Sequence, residues 1–179
     1  MNNIGQITHA MITYYKGDAQ GINHFLKVYG FAKTIGELEK LDERSQGILE
    51  IAALTHDIGI KNSIKKYNSS AGEYQQIEGP PEAKALLEEL GTNKTVIDRV
   101  CWLIAHHHIY DDIQDLDYQI LVEADFLVNA FEADMPHETI CGVRDKIFRT
   151  KTGIDLLNTI YEGDLLNAGD TFSMPLHSR

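Results

Sequence analysis

The residues able to do chemistry stand where ordinary packing would not put them. His56-Asp57 is an adjacent pair that closes the apolar run Ile51-Ala52-Ala53-Leu54. An imidazole and a carboxylate directly after such a run are costly to desolvate unless a partner compensates. A divalent metal is one such partner, since neutral imidazole and carboxylate are both good ligands; a capped helix end facing solvent is the alternative. Asp125 lies within Leu121-Val122-Glu123-Ala124-Asp125-Phe126-Leu127-Val128, on the face it shares at helical spacing with Leu121, Val128 and Asn129. A carboxylate in that setting needs a partner, either a metal or a buried Lys or Arg. His24 sits beside Val28 on the inner stripe of its own segment, as a ligand or as a hydrogen-bonded core histidine. In His106-His107-His108, helical neighbours diverge by about 100°, so one or two point inward while another is solvated, or the cluster is exposed as a whole. Taken together, four segments each bring a metal-competent side chain to apolar surroundings, which is how helical bundles build metal centres.

The elements that must carry these residues are helices. Helical periodicity dominates, and alternating strand patterns of useful length are absent, so the fold class is all-α, a helical bundle. The spacing predicts helices over 22–39, 42–57, 95–107 and 118–134, with Gly59 as the stop after His56-Asp57. Residues 62–79 read as a long loop or a broken helix, and Pro80-Pro81 as the start of a short helix over 82–90 ended by Gly91. The acidic stretch 111–117 reads as a loop, and 137–161 as a helical region broken at Gly153. There is no internal repeat and no low-complexity tract, and residues 162–179 are expected to be weakly ordered.

Composition narrows the function classes. The 179 residues make one domain, with 43% hydrophobic and 24% charged residues, an ordinary globular balance. A formal charge of −11 repels nucleic-acid backbone and anionic membrane, which argues against a duplex-coating or membrane-surface role. A small anionic substrate is repelled as well and needs a local positive focus. Cys101 and Cys141 have no framework spacing and read as reduced thiols packed as small hydrophobes. Residues 1–11 lack a basic, apolar leader, and no run approaches the ~18 apolar residues of a membrane span. The expected compartment is therefore the cytoplasm. The apolar C-terminal helices could pack against a second copy, giving a homodimer.

The order of these residues resembles the HD-domain superfamily of metal-dependent phosphohydrolases. The resemblance rests on Asn23-His24-Phe25-Leu26-Lys27-Val28-Tyr29, Ala52-Ala53-Leu54-Thr55-His56-Asp57-Ile58-Gly59, the histidine cluster, and Ala124-Asp125-Phe126-Leu127-Val128-Asn129. It covers residues 22–130 and implies one HD-type helical domain, with a core over about residues 20–150. It also implies a divalent metal (Mn, Fe, Co, Ni or Zn) bound by His24, His56, Asp57 and Asp125. Where the superfamily binds a second metal, an additional histidine stands between the His-Asp pair and the cluster. Glu78 occupies that place here, so a second site would use Glu78 with His106 and His107. The superfamily's frequent His-Asp-Ile-Gly-Lys run is altered, with Ile60 at the lysine position and Lys61 one residue on.

The implied activity is hydrolysis of a phosphoester, of a nucleotide or another small phosphorylated metabolite, by a metal-activated water. Asp57 would orient that water or accept its proton, and His106 or His107 would bind the phosphate or protonate the leaving oxygen. The metal with Lys61, Lys65 and Lys66 would supply the positive focus, unless the lysines are a solvated loop; Arg99 and Arg144 are further candidates. Two other readings compete: a non-catalytic domain that binds a nucleotide or a partner, and an iron-dependent oxygenase of the same fold.

Overall fold

Two helices form the inner layer, each with a long and mainly apolar stretch buried on every side. In the computed structural model, which describes residues 4–161, α3 (Glu43–Thr55) is buried continuously from Ile48 to Thr55. Helix α7 (Leu116–Glu132) is buried continuously from Asp117 to Asp125. A helix apolar all round must sit inside the domain. α2 (Ala19–Leu38) and α6 (Lys94–His106) are amphipathic and cover them, with α2 against both α3 and α7, and α6 against α3. On α2 the buried stripe is His24, Phe25, Val28, Ala32 and Ile35, so His24 looks inward with the core.

Side-chain caps fix where these helices begin. Asp18 accepts from Gly21 N at the start of α2, Asp42 from Arg44 N and Ser45 N at the start of α3, and Asn93 from Thr95 N at the start of α6. The four helices expected from periodicity form with ends shifted by at most three residues. No strand occurs among the described residues, and no helix there is long and apolar enough to cross a membrane.

The differences lie in the peripheral elements. Helix α1 (Ile4–Tyr14), which composition did not flag, buries Ile7 and Met11 against α3. Of the two readings for 62–79, the broken helix is the one that forms: α4 (Ile60–Tyr67) stops at Asn68 in a left-handed conformation, and α5 (Gly72–Glu89) follows. The stacked rings of Tyr67 and Tyr74, 4.3 Å apart, clip the two across the break. Pro80-Pro81 do not start a helix but lie inside α5. Each proline removes one backbone donor; α5 tolerates this because its inner side, Gly79, Ala83 and Leu87, is buried. Nor is Gly59 a stop, since α4 begins at the next residue and its φ is an ordinary −72°. It is a point of close approach, where an added Cβ would come within 2.6 Å of Gly79 N.

The expected break at Gly153 is displaced to residues 148–150, between α8 (His137–Ile147) and α9 (Lys151–Tyr161). There the buried Glu123 carboxylate accepts from Arg149 N, Thr150 N and Thr150 Oγ1 and so caps α9 from the core. Gly153 is pressed against that carboxylate, with no room for a Cβ. The tail 162–179, expected to be weakly ordered, lies outside the described residues.

Candidate metal centre

Four separate elements converge at one end of the inner layer. α2 brings His24, the turn between α3 and α4 brings His56 and Asp57, the end of α6 brings His107 and His108, and α7 brings Asp125. The His24 and His56 Nε2 atoms lie 3.1 Å apart. His24 Nε2 is 3.4 Å from Asp57 Oδ2 and 3.3 Å from Asp125 Oδ1; His56 Nε2 is 3.4 Å and 3.5 Å from the same oxygens.

The other ring nitrogens assign the tautomers. His56 Nδ1 donates to Ala53 O at 2.9 Å and His24 Nδ1 to Glu132 Oε2 at 2.9 Å, so each imidazole turns an Nε2 lone pair toward the shared point. Two lone pairs facing each other at 3.1 Å repel unless a cation or a proton stands between them. Asp125 Oδ1 is buried and without a hydrogen-bond partner. A metal held at about 2.1 Å from each ligand spaces neighbouring ligand atoms roughly 3.0 to 3.4 Å apart, close to the 3.1 to 3.5 Å found here. His24, His56, Asp57 and Asp125 therefore fit a divalent ion.

The electrostatics agree. Burial opposes charge on His24 and His56, but the carboxylates of Asp57 and Asp125 beside them prevail and hold both imidazoles above the usual range. Burial alone would raise Asp57 and Asp125; the facing imidazoles outweigh it and hold both below the usual carboxylate range. The cluster thus draws positive charge to its centre.

A second group adjoins the first. Asp57, His107 and His108 offer ligand atoms within 4.8 Å of one another, and Asp57 is shared by both groups. His107 Nδ1 donates to Ile104 O at 2.8 Å, freeing an Nε2 that is buried, unpartnered and 3.7 Å from Asp57 Oδ1. His108 Nε2 is likewise buried without a partner, and burial beside His107 pushes its pKa down to about 4, so its imidazole is neutral at pH 7.

This differs from the expected second site in two of three residues. Glu78 accepts from Lys66 Nζ at 2.5 Å and Tyr67 Oη at 3.0 Å and joins neither group. His106 stacks on Trp102 with centroids 4.1 Å apart and donates Nδ1–H to Trp102 O. The chain leaves the helix after His106, so His107 and His108 escape the 100° divergence of helical neighbours, and their rings lie 3.9 Å apart.

Asp57, His24, His108 and Asp125 open onto a cavity of about 340 Å³, also walled by Asp18, Gln20, Gln75, Asn129 and Glu132. None of the expected cations reaches it. Lys61 turns to α1, donating to Tyr14 O with its ammonium 4.8 Å from the Tyr14 ring centre and 5.2 Å from that of Tyr15. Lys66 is held by Glu78, Arg99 by Asp115 and Asp117, and Arg144 bonds to Asp145 and Asn158, while Lys65 is exposed on α4 and does not line the cavity.

Comparison with known proteins gives the family and the fold. The family model described as "HD domain" matches residues 21–130, more than half of the chain. The chain belongs to the HD domain family. Among solved structures it is similar to a predicted HD superfamily hydrolase from an uncultured Thermotogales bacterium, with a TM-score of 0.66 and 23% identity over 90% of this chain and 87% of that one. That likeness shows the fold. No curated protein matches the chain.

Within this HD domain the structure also shows residues that spacing did not single out. The Tyr15 hydroxyl donates to Asp57 O at 2.6 Å and the Tyr14 hydroxyl to Ile58 O at 3.2 Å, so the end of α1 and the turn after it hold the His-Asp turn from behind. Glu132, which orients His24 and is itself paired with Lys27 at 2.6 Å, lies seven residues past Asp125, two turns along the same face of α7. That spacing is a signal the sequence carried.

Proposed function

We propose that this HD domain is a metal-dependent phosphohydrolase that cleaves a phosphoester of a nucleotide or another small phosphorylated metabolite. The observation that carries the reading is the pair of Nε2 atoms, 3.1 Å apart with both Nδ1–H groups engaged elsewhere, beside the unpartnered Asp125 Oδ1 at the floor of a cavity. His24, His56, Asp57 and Asp125 would hold one divalent ion, and Asp57, His107 and His108 are disposed to hold another. A bound ion supplies a water ionised near neutral pH and polarises a phosphoryl oxygen.

The remaining work falls to side chains. Asp57 reaches the cavity and can accept a hydrogen bond from a water there, which orients that water toward a phosphorus above the floor. Glu132 and the carbonyls of Ala53 and Ile104 keep His24, His56 and His107 in the tautomer that faces the centre. His107 and His108 present lone pairs and so suit ligation better than protonation of a leaving oxygen; His106, outside the cavity, has no part in the step.

The test is elemental analysis of the purified protein with phosphate release from a panel of nucleotides and phosphomonoesters. Near-stoichiometric metal and turnover in the wild type, both lost in His56→Ala and Asp125→Ala, are expected. Protein that takes up no metal after incubation with Mn, Fe or Zn would refute the reading. The sharing of Asp57 between two groups also suits a pair of irons, so oxygen uptake by iron-loaded protein tests the oxygenase alternative.

A further inference from the structure

The charge around the cavity carries a statement about the substrate. Among the described residues that line it, Asp18, Asp57, Asp125 and Glu132 are acidic, and none is Lys or Arg. Lys27, beside this wall, is tied to Glu132 at 2.6 Å and lies over the Phe131 ring. The amino end of α2, with Gln20 and Gly21 in the wall, is where backbone donors would otherwise draw an anion. Asp18 closes it, its Oδ1 accepting the Gly21 N–H at 2.8 Å. The rest of the wall is neutral and rich in hydrogen-bonding groups, with Gln20, Gln75, Asn129 and Ser70.

We infer that this cavity accepts a substrate with a single phosphoryl group on a neutral, hydroxyl-rich body and rejects further phosphates, with Asp18 as a specificity-determining residue. The inference rests on the proposed hydrolase reading. One phosphoryl group can meet the positive charge that the His/Asp cluster draws to its centre. A second or third would extend toward the rim, where the wall offers the exposed Asp18 carboxylate and neither Lys nor Arg, on a chain whose net charge is already −11. A cavity of about 340 Å³ holds a body the size of a sugar or a small nucleoside.

The experiment compares the 5′-mono-, di- and triphosphates of the common nucleosides on the metal-loaded protein without added free divalent metal. Turnover is read as phosphate release, and Kd by calorimetry. The monophosphate is expected to be preferred over the triphosphate by about tenfold or more in kcat/KM at low salt, with the ratio shrinking as ionic strength rises toward about 0.15 M. Asp18→Asn keeps a capping oxygen and removes the charge. It should narrow the preference by about threefold to tenfold, chiefly through KM for the triphosphate. Asp18→Ser, which caps through a hydroxyl, should do the same. Triphosphates handled as well as monophosphates, or a ratio unmoved in both variants, would overturn the inference. Absence of turnover on every ester would instead count against the hydrolase reading, and the ratio of Kd values would still decide the question of charge.

Discussion

His24, His56, Asp57 and Asp125 are each unfavourable where they stand and are made tolerable only by one another. Two carboxylates within 3.5 Å of two Nε2 atoms create a place where positive charge is strongly drawn, and protons and metal compete for it. The pH dependence follows. In chelator-treated protein the raised His24 and His56 contribute stability that is present below their unfolded value near 6.5 and lost as pH climbs through their folded values. His108, lowered to about 4, acts in the opposite sense: its contribution is present above about 6.5 and lost as pH falls toward 4. Metal-free protein should therefore be most heat-stable at about pH 6 to 7. Metal, by replacing the protons on His24 and His56, should flatten the alkaline arm. Thermal melts from pH 5 to 9, with and without chelator, check both; a metal-free melting point that climbs steadily from 6.5 to 9 would contradict the assignment. Glu132 supports the same cluster from outside through its 2.9 Å bond to His24 Nδ1. Glu132→Gln should weaken metal binding by about tenfold to a hundredfold, measured by competition with a chelator, while the fold survives.

At the scale of elements, what matters is how closely the helices around the centre approach. The turn carrying His56 and Asp57 is pinched between the end of α1, where the hydroxyls of Tyr14 and of Tyr15 just past it hold the Ile58 and Asp57 carbonyls, and α5, which touches it at Gly79. A methyl at Gly59 would meet Gly79 N at 2.6 Å and Gly79 Cα at 2.8 Å, backbone atoms that cannot swing away. Gly59→Ala should cost about 3 kcal/mol in urea unfolding and loosen metal binding at the same time, because the ligand turn must move. The equivalent change at Gly47, where a Cβ meets nothing within 4 Å, should leave stability unchanged or slightly raised by the better helix propensity of alanine. The contrast between the two variants is the measurement.

Across the whole molecule, the centre is the point that ties otherwise independent segments together. Its candidate ligands stand at residues 24, 56–57, 107–108 and 125, more than 100 residues of chain folded back on one point. An ion bound only by the folded state adds about 2.7 kcal/mol of stability at a free concentration a hundred times its Kd. Metal removal should therefore lower the melting temperature cooperatively across α2, α3, α6 and α7, rather than in α8 and α9. The bonds that hold α9 to α7 lie outside the ligand cluster and do not depend on the ion, with Glu123 capping α9 and the Tyr161 hydroxyl donating to Leu127 O at 2.9 Å. Hydrogen exchange in the presence and absence of chelator would resolve the two regions.

The sequence by itself determined the helices that carry the centre and the residue types on them. Their apolar faces are long and regular, and a histidine or carboxylate in such a face has few physical excuses. His24, His56, Asp57 and Asp125 were legible on that ground, and the order in which they occur identified the family. What periodicity could not reach was decided by contacts between distant segments. α1 is held by packing on α3 rather than by any local signal, and α5 runs through Pro80-Pro81 because its inner side is buried. The choice of His107 and His108 over His106 depended on where α6 ends, and that of Asp57 over Glu78 on Lys66 and Tyr67 claiming the glutamate. Lys61 was taken from the cavity by a carbonyl and two aromatic rings 46 and 47 residues earlier in the chain. Spacing along a helix tells which face a side chain is on; only the packed structure tells what stands opposite.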